Sequence, residues 1–286
     1  MCRYKKKREE APISSVSVST LNHLHDLFVR KNWEIDEDSD ISTYTRYYRT
    51  LQTLNEDQQN FIIAISDDFL HISQSQYFDN LIEPLSRLRV QYSNDNLIFL
   101  PCSPKKDVGA IKSSASVLYQ LKGTSIKTKV HLNPYWIPAR IDEKWFNCLP
   151  KNGQYKIVLV DDFVGSGETA EGAVDYIHEL VPALDNSSIK ILSIVAMQNG
   201  INRLKTKDID VYCRYVRNRG ISDRYSGEDL LSTTKMMQDI EATLDGLTLE
   251  MRFGYRQTEA LVCMERCPNN TFPIYWKTAN IAPYER

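Results

Sequence analysis

No apolar run in this chain of 286 residues approaches the roughly 20 residues that span a bilayer, so no membrane-spanning helix is expected. The basic cluster Arg3, Lys5, Lys6, Lys7 and Arg8 is followed by EEAPISS rather than an apolar stretch, so no signal peptide is expected. An excess of one charge is also missing. The net charge is −2 and the pI about 6.2, which leaves no global field to draw the protein to nucleic acid. Cysteine pairs at zinc spacing are absent, because Cys263-x-x-x-Cys267 lacks both the C-x-x-C spacing and a second pair. Cys102, Cys213 and Cys263 lie in or beside apolar runs and read as buried free thiols, in keeping with a reducing cytoplasm. His23 and His25 have no carboxylate or cysteine cluster to complete a metal site. Glycine is missing from residues 15–92 altogether.

That glycine-free stretch predicts helices. Apolar residues recur at helical spacing through TLNHLHDLFVRKNW, ISTYTRYYRTLQTL, EDQQNFIIAISDDFL and SQYFDNLIEPLSRL. Tyr44, Tyr47 and Tyr48 with Arg46 and Arg49 suit one apolar helix face with solvated arginines, and base stacking with phosphate contact is the alternative. Residues 1–14 read as a disordered basic tail, with a nucleic-acid or partner arm as the alternative. From residue 94 strands and helices alternate, the pattern of a parallel α/β sheet. Strands are expected at NLIFLPC, KIVLV, SIKILSIVAM and IDVYCRYV, and a long helix at 227–244. The expected division is a tail (1–14), a helical region (15–92) and an α/β domain (94–286). The length suits one large or two small domains, and 42% hydrophobic residues suffice for a sizeable core.

The most informative stretch is KIVLVDDFVGSGET, residues 156–169. Ile157 to Val160 form a short, mostly β-branched run that reads as a buried parallel strand. It ends in Asp161 and Asp162, continues into the small-residue turn Gly165-Ser166-Gly167-Glu168-Thr169, and opens a helix. In such sheets ligands bind at the carboxyl ends of strands, and helix N-termini bind phosphate. Paired carboxylates suit sugar hydroxyls or a hydrated Mg²⁺. The pattern therefore describes a sugar-phosphate site. A Walker A loop would need Gly-Lys-Ser/Thr, and a dinucleotide fingerprint would need G-x-G-x-x-G. A receiver domain would need a phosphoacceptor Asp after a later strand, and ILSIVAMQNG has none.

VLVDDFVGSGET resembles the phosphoribosyl-pyrophosphate (PRPP) motif of type I phosphoribosyltransferases. The resemblance implies a Rossmann-like parallel sheet with an added N-terminal helical region. It implies Mg²⁺ as cofactor, held indirectly by Asp161 and Asp162, which would orient the ribose. Gly165, Ser166, Gly167, Glu168 and Thr169 would hold the 5′-phosphate. Gly165 stands where Ala, Ser or Thr is usual, and Glu168 where a small residue is common. Lys112, Ser113 and Ser114, after the strand NLIFLPC, would form the pyrophosphate loop; an ordinary N-cap with solvated lysines is the alternative. Arg140 and Lys144, in the stretch before the motif strand, would belong to a mobile loop; an excursion anchored by Trp136 and Trp145 is the alternative. Asn269 and Asn270, with nearby Tyr255, Arg256 or Trp276, would form a hood over the acceptor, or PNNT is simply a turn.

The layout is also similar to a divergent phosphoribosyltransferase group of bacterial conflict systems, through Pro268, Asn269, Asn270, Thr271, Pro273 and Trp276. That likeness implies a cytoplasmic effector of anti-phage defence of the retron type. A reverse transcriptase and a winged-helix DNA-binding protein would be its partners, with nucleic acid reached only through them. A non-catalytic PRPP or nucleotide sensor and an interaction subunit of a nucleoprotein complex stay open. The acceptor and the oligomeric state are not legible.

Overall fold

The computed structural model describes residues 14–286 except 111, 133–134, 139–141, 148–153, 280 and 285. Three helices come first: α1 (Val18–Lys31), α2 (Thr43–Gln52) and α3 (Glu56–Ser66). Each begins at a side-chain cap, from Ser17, Ser42 and Asn55, and the last is a capping box closed by Gln58. Their buried faces do not form a separate bundle. Leu27, Phe28, Tyr47 and Phe69 pack with Ile221, Phe272 and Tyr275 from the far end of the chain. Tyr47 is fully buried, which makes the tyrosine cluster a core face. Its arginines differ from expectation: Arg46 is buried as well, and Arg49 pairs with Asp40.

A two-residue strand, β1 (Leu70–His71), follows, and then α4 (Tyr77–Gln91). Helix α4 precedes residue 94 in sequence, yet Leu81, Leu85 and Leu88 share a core with Leu97, Phe99 and Val158 of the sheet. The packing thus runs across the expected boundary.

The main sheet contains β2 (Asn96–Pro101), β3 (Tyr135–Trp136), β4 (Tyr155–Val160), β5 (Phe163–Val164), β6 (Ile189–Met197) and β7 (Asp210–Arg217). Between these strands run α5 (Ser113–Gln120), α6 (Thr124–Val130), α7 (Glu143–Asn147), α8 (Glu168–Leu180) and α9 (Gln198–Lys205). All described pairings are parallel, in the order β3-β2-β4-β6-β7, with β5 rejoining β6 beyond the end of β4. Every residue of β6 is buried, as a strand covered on both faces requires. Alternation along β2 and β4 sends Leu97, Phe99 and Val158 toward α4 to α6, and Ile98, Leu100 and Ile157 toward α8 and α9. In chain order the main strands run 2-1-3-4-5, so the topological switch point lies between β2 and β4. The chain ends with α10 (Gly227–Ala242) and β8 (Val262–Cys263), which pairs in parallel with β1.

Candidate functional site

The acidic pair sits at the switch point because the ladder of β4 breaks there. The Asp161 amide still donates to Leu192 O at 3.0 Å. One residue later the Asp162 carbonyl accepts from both Ile194 N (3.2 Å) and Val195 N (3.1 Å), and pairing with β6 resumes only at Phe163. Two amides on one carbonyl displace the strand and leave both carboxylates at its mouth. Asp161 Oδ1 accepts from Ser113 Oγ (2.9 Å) and from the Asp162 amide (3.0 Å). Asp162 Oδ2 accepts from Tyr77 Oη (2.7 Å), and the same phenol oxygen accepts from Glu265 N at 3.2 Å. Asp161 Oδ2 and Asp162 Oδ1 accept from no other described residue, the two carboxyls lying within hydrogen-bond reach of each other, and no described cation pairs with either acid. Burial, and then the Asp162 charge, hold the Asp161 carboxyl well above the usual carboxylate range.

The turn after the pair is shaped by close approach. Gly167 precedes α8 with φ 85°, in the left-handed region that favours glycine. At Gly165 a Cβ would lie 2.3 Å from Cγ and Oδ1 of Asn270. The Asn270 side chain therefore takes the space that a larger residue at 165 would fill. The first amides of α8 lack intrahelical partners, as at any helix start, and the helix dipole favours an anion there. Glu168 opens the helix, but its carboxylate is engaged elsewhere. It accepts from Tyr255 Oη at 2.7 Å and pairs with Arg256 (2.8 Å) and Arg203 (3.4 Å). The Tyr255 hydrogen bond, then the two arginines, lower its pKa.

These elements enclose a cleft of two lobes that share Asp161, Phe163, Asn269 and Asn270 as a common wall. The smaller lobe, about 380 Å³, lies over residues 165–169. The larger, about 700 Å³, lies between the start of α5 and the C-terminal segment.

The pyrophosphate-loop residues divide. Lys112 and Ser113 line the larger lobe. Ser114 is buried behind it, 3.4 Å from Ser103 Oγ, and lines neither lobe. Lys112 also lies 3.4 Å from Asp107. Lys144 is exposed on α7 and lines neither lobe, while Arg140 lies outside the described residues. Asn269 and Asn270 stand with Asp161 in the shared wall, so PNNT is both a turn, closed by Thr271 N on Pro268 O at 3.1 Å, and part of the site. Tyr255 borders the smaller lobe, whereas Trp276 lies off both, pinned through Nε1 to Thr271 O at 2.8 Å. Sequence reasoning missed Tyr77, Arg266 and Arg286. Tyr77 reads as one more apolar-face residue of a helix, and its acid partner is 85 positions away. Arg266 and Arg286 look like ordinary surface charges.

The described residues contain no cluster of three or more His, Cys, Asp or Glu suited to a metal, and no helix long and apolar enough to cross a membrane. Cys102, Cys213 and Cys263 are free and buried, as expected, and so is Cys267.

A comparison with curated proteins finds no match. Solved structures that resemble the chain include the orotate phosphoribosyltransferase of Aeropyrum pernix (13% identity, 50% of this chain and 69% of that one, TM-score 0.26). They also include a hypoxanthine-guanine-xanthine phosphoribosyltransferase (18% identity, 53% and 81%, TM-score 0.27). A third is the AQ2163 protein of Aquifex aeolicus (13% identity, 65% and 87%, TM-score 0.30). Scores this low carry no argument about the site. The family match is of another order: it runs over residues 31–285, nearly the whole described chain, and by it the protein belongs to the phosphoribosyltransferase-type family PRTase-CE.

Proposed function

We propose that the cleft binds PRPP with Mg²⁺ and transfers the phosphoribosyl group to an acceptor. One observation carries this reading: a buried acid pair with no described cation on it stands where a lobe over a helix N-terminus meets a larger one, Asp161 in the wall between them and Asp162 in the larger lobe. In this reading the amides of residues 165–169 receive the 5′-phosphate in the smaller lobe. Asp161 Oδ2 and Asp162 Oδ1, the two oxygens left open, accept from the ribose hydroxyls. Lys112 and the Ser113 end of α5 face the diphosphate. The same open oxygens fit a hydrated Mg²⁺, which keeps several waters and asks for one or two carboxylates. When bound, Mg²⁺ neutralises charge on the departing diphosphate. Transfer forms a bond from the acceptor's nucleophilic atom to the anomeric carbon while the bond from that carbon to diphosphate oxygen breaks. The electron pair leaves with the diphosphate, and the acceptor's proton passes to solvent. The protein's share is positioning, together with negative charge beside the positive sugar carbon.

PRPP with MgCl₂ tests the reading through the melting temperature. A ligand at a hundred times its Kd stabilises the folded state by about 2.7 kcal/mol. No shift at millimolar PRPP, with protein freed of bound nucleotide, would sink it. A second reading, a non-catalytic PRPP sensor, is favoured by Glu168, which lines the phosphate lobe at a position where a small residue is common in the motif. Diphosphate release from PRPP with candidate acceptors separates the two.

We further assign the protein to an anti-phage system of the retron type, acting in the cytoplasm beside a reverse transcriptase and a winged-helix DNA-binding protein. The likeness of Pro268 to Trp276 to conflict-system proteins supports this. Co-purification from cells expressing the neighbouring genes tests it.

A further inference from the structure

The larger lobe holds charge that PRPP binding does not account for. Arg266 and Arg286 both line it, and Arg286 also borders a neighbouring pocket beside Trp276 and Lys277. Neither guanidinium has a described acidic partner, although acids are close. Glu265 also lines the lobe, but its Oε2 accepts from the Gln74 amide at 3.1 Å. Asp161 and Asp162 are held by Ser113 and Tyr77. Arg286 is oriented by Trp276, over whose ring its guanidinium lies at 5.0 Å, and Trp276 is itself pinned to Thr271 O. Burial, and to a smaller extent the Arg266 charge, lower the Arg286 pKa. Two guanidiniums on one concave wall, neither in an ion pair with a described acid, suit an anion.

The diphosphate of PRPP is not the best occupant. In the reading above it faces Lys112 and Ser113 on α5, whereas Arg266 and Arg286 come from the C-terminal segment. The lobe, about 700 Å³, falls within the size range of small-molecule pockets and leaves room for a second molecule. It is poorly equipped to hold a free base by stacking. Of its aromatic lining residues, Tyr77 is 1% exposed and Phe163 is half-buried. Two guanidinium forks instead suit a phosphate, which offers three acceptor oxygens and about −1.5 to −2 charge near neutral pH.

We propose that Arg266 and Arg286 bind a phosphate of the second substrate, so that the acceptor is a phosphorylated molecule rather than a free base. This rests on the PRPP reading of the smaller lobe. The test is calorimetry on the full chain, with inorganic phosphate titrated into protein already saturated with PRPP and MgCl₂. The wild type should bind phosphate. Arg266→Gln with Arg286→Gln should bind it at least about tenfold more weakly, while its affinity for PRPP stays within about threefold. Arg266→Gln alone, at an exposed position, should show part of the loss and guards against misfolding of the pair. Unchanged phosphate binding in the double variant overturns the site. Loss of PRPP affinity by about tenfold or more assigns the arginines to the diphosphate and overturns the acceptor role. If the wild type binds no PRPP, the reading of the smaller lobe fails and the acceptor role falls with it. The loss of phosphate binding in the variants would then still identify an anion site at the arginines.

Discussion

Alanine at position 165 tests the contact that joins the phosphate turn to the C-terminal segment. Gly165 does not use the left-handed region, so its backbone accepts alanine. The obstacle is Asn270: the new Cβ would lie 2.3 Å from its Cγ and Oδ1 and 2.6 Å from its Nδ2. Asn270 is buried and anchored, donating to Thr258 Oγ1 (2.9 Å) and Tyr255 O (3.2 Å). It must move, and each lost hydrogen bond costs about 1 kcal/mol. Overpacking adds about 1–3 kcal/mol, and the stiffer unfolded chain returns about 0.4–1 kcal/mol. With both hydrogen bonds lost the net expectation is a loss of about 2–5 kcal/mol, at roughly 2–4 °C in Tm per kcal/mol. In an Asn270→Ala background the clashing atoms are gone, and Gly165→Ala should be neutral or stabilising by about 0.4–1 kcal/mol. Urea denaturation of the four proteins closes the cycle, with a coupling of about 3–5 kcal/mol expected. If the two changes add to within about 0.5 kcal/mol, Asn270 does not occupy the space beside Gly165 and the reasoning fails.

Asp161→Asn should remove PRPP binding yet stabilise the fold. Because the folded pKa of Asp161 is raised, its contribution to stability is fully present below the unfolded pKa near 3.9 and is lost as pH rises toward the folded value. The variant's advantage in thermal melts should therefore grow from pH 4 to pH 8, and a lower Tm than wild type at pH 8 contradicts this. Glu168→Gln should change PRPP affinity by less than about threefold in calorimetry, because Tyr255, Arg256 and Arg203 already hold the carboxylate. Tenfold tighter binding, about 1.4 kcal/mol, would mean that the charge faces the phosphate. Buried Glu241, whose carboxyl accepts from Phe253 N, is pushed up to about 7 by burial. Its contribution is present below about pH 4.5 and is lost on the way to pH 7, on the order of 3 kcal/mol. Glu241→Gln should flatten the stability profile over that window, and an unchanged profile would show that another group titrates there.

Local chemistry made much of this protein legible in its sequence. A β-branched run before two acids and a small-residue turn can only be a buried strand feeding a helix, so Asp161, Asp162 and residues 165–169 were placed by covalent neighbourhood. The caps at Ser17, Ser42 and Asn55, which apolar spacing does not reveal, bound their helices in the structure, since a cap acts within one turn. Pairing in space was not legible, because burial and hydrogen bonding join residues whatever their separation in the chain. Nothing local ties Tyr77 to Asp162, Glu168 to Tyr255 and Arg256, or Asn270 to Gly165. For that reason a helical region that reads as separate supplies α4 to the sheet and a phenol to the acid pair. The sequence by itself determined the strand, the acids and the phosphate turn. The tertiary structure alone decided what stands opposite them: the packing of the C-terminal segment against the sheet's carboxyl edge, which encloses two lobes and turns Arg266 and Arg286 into one of them.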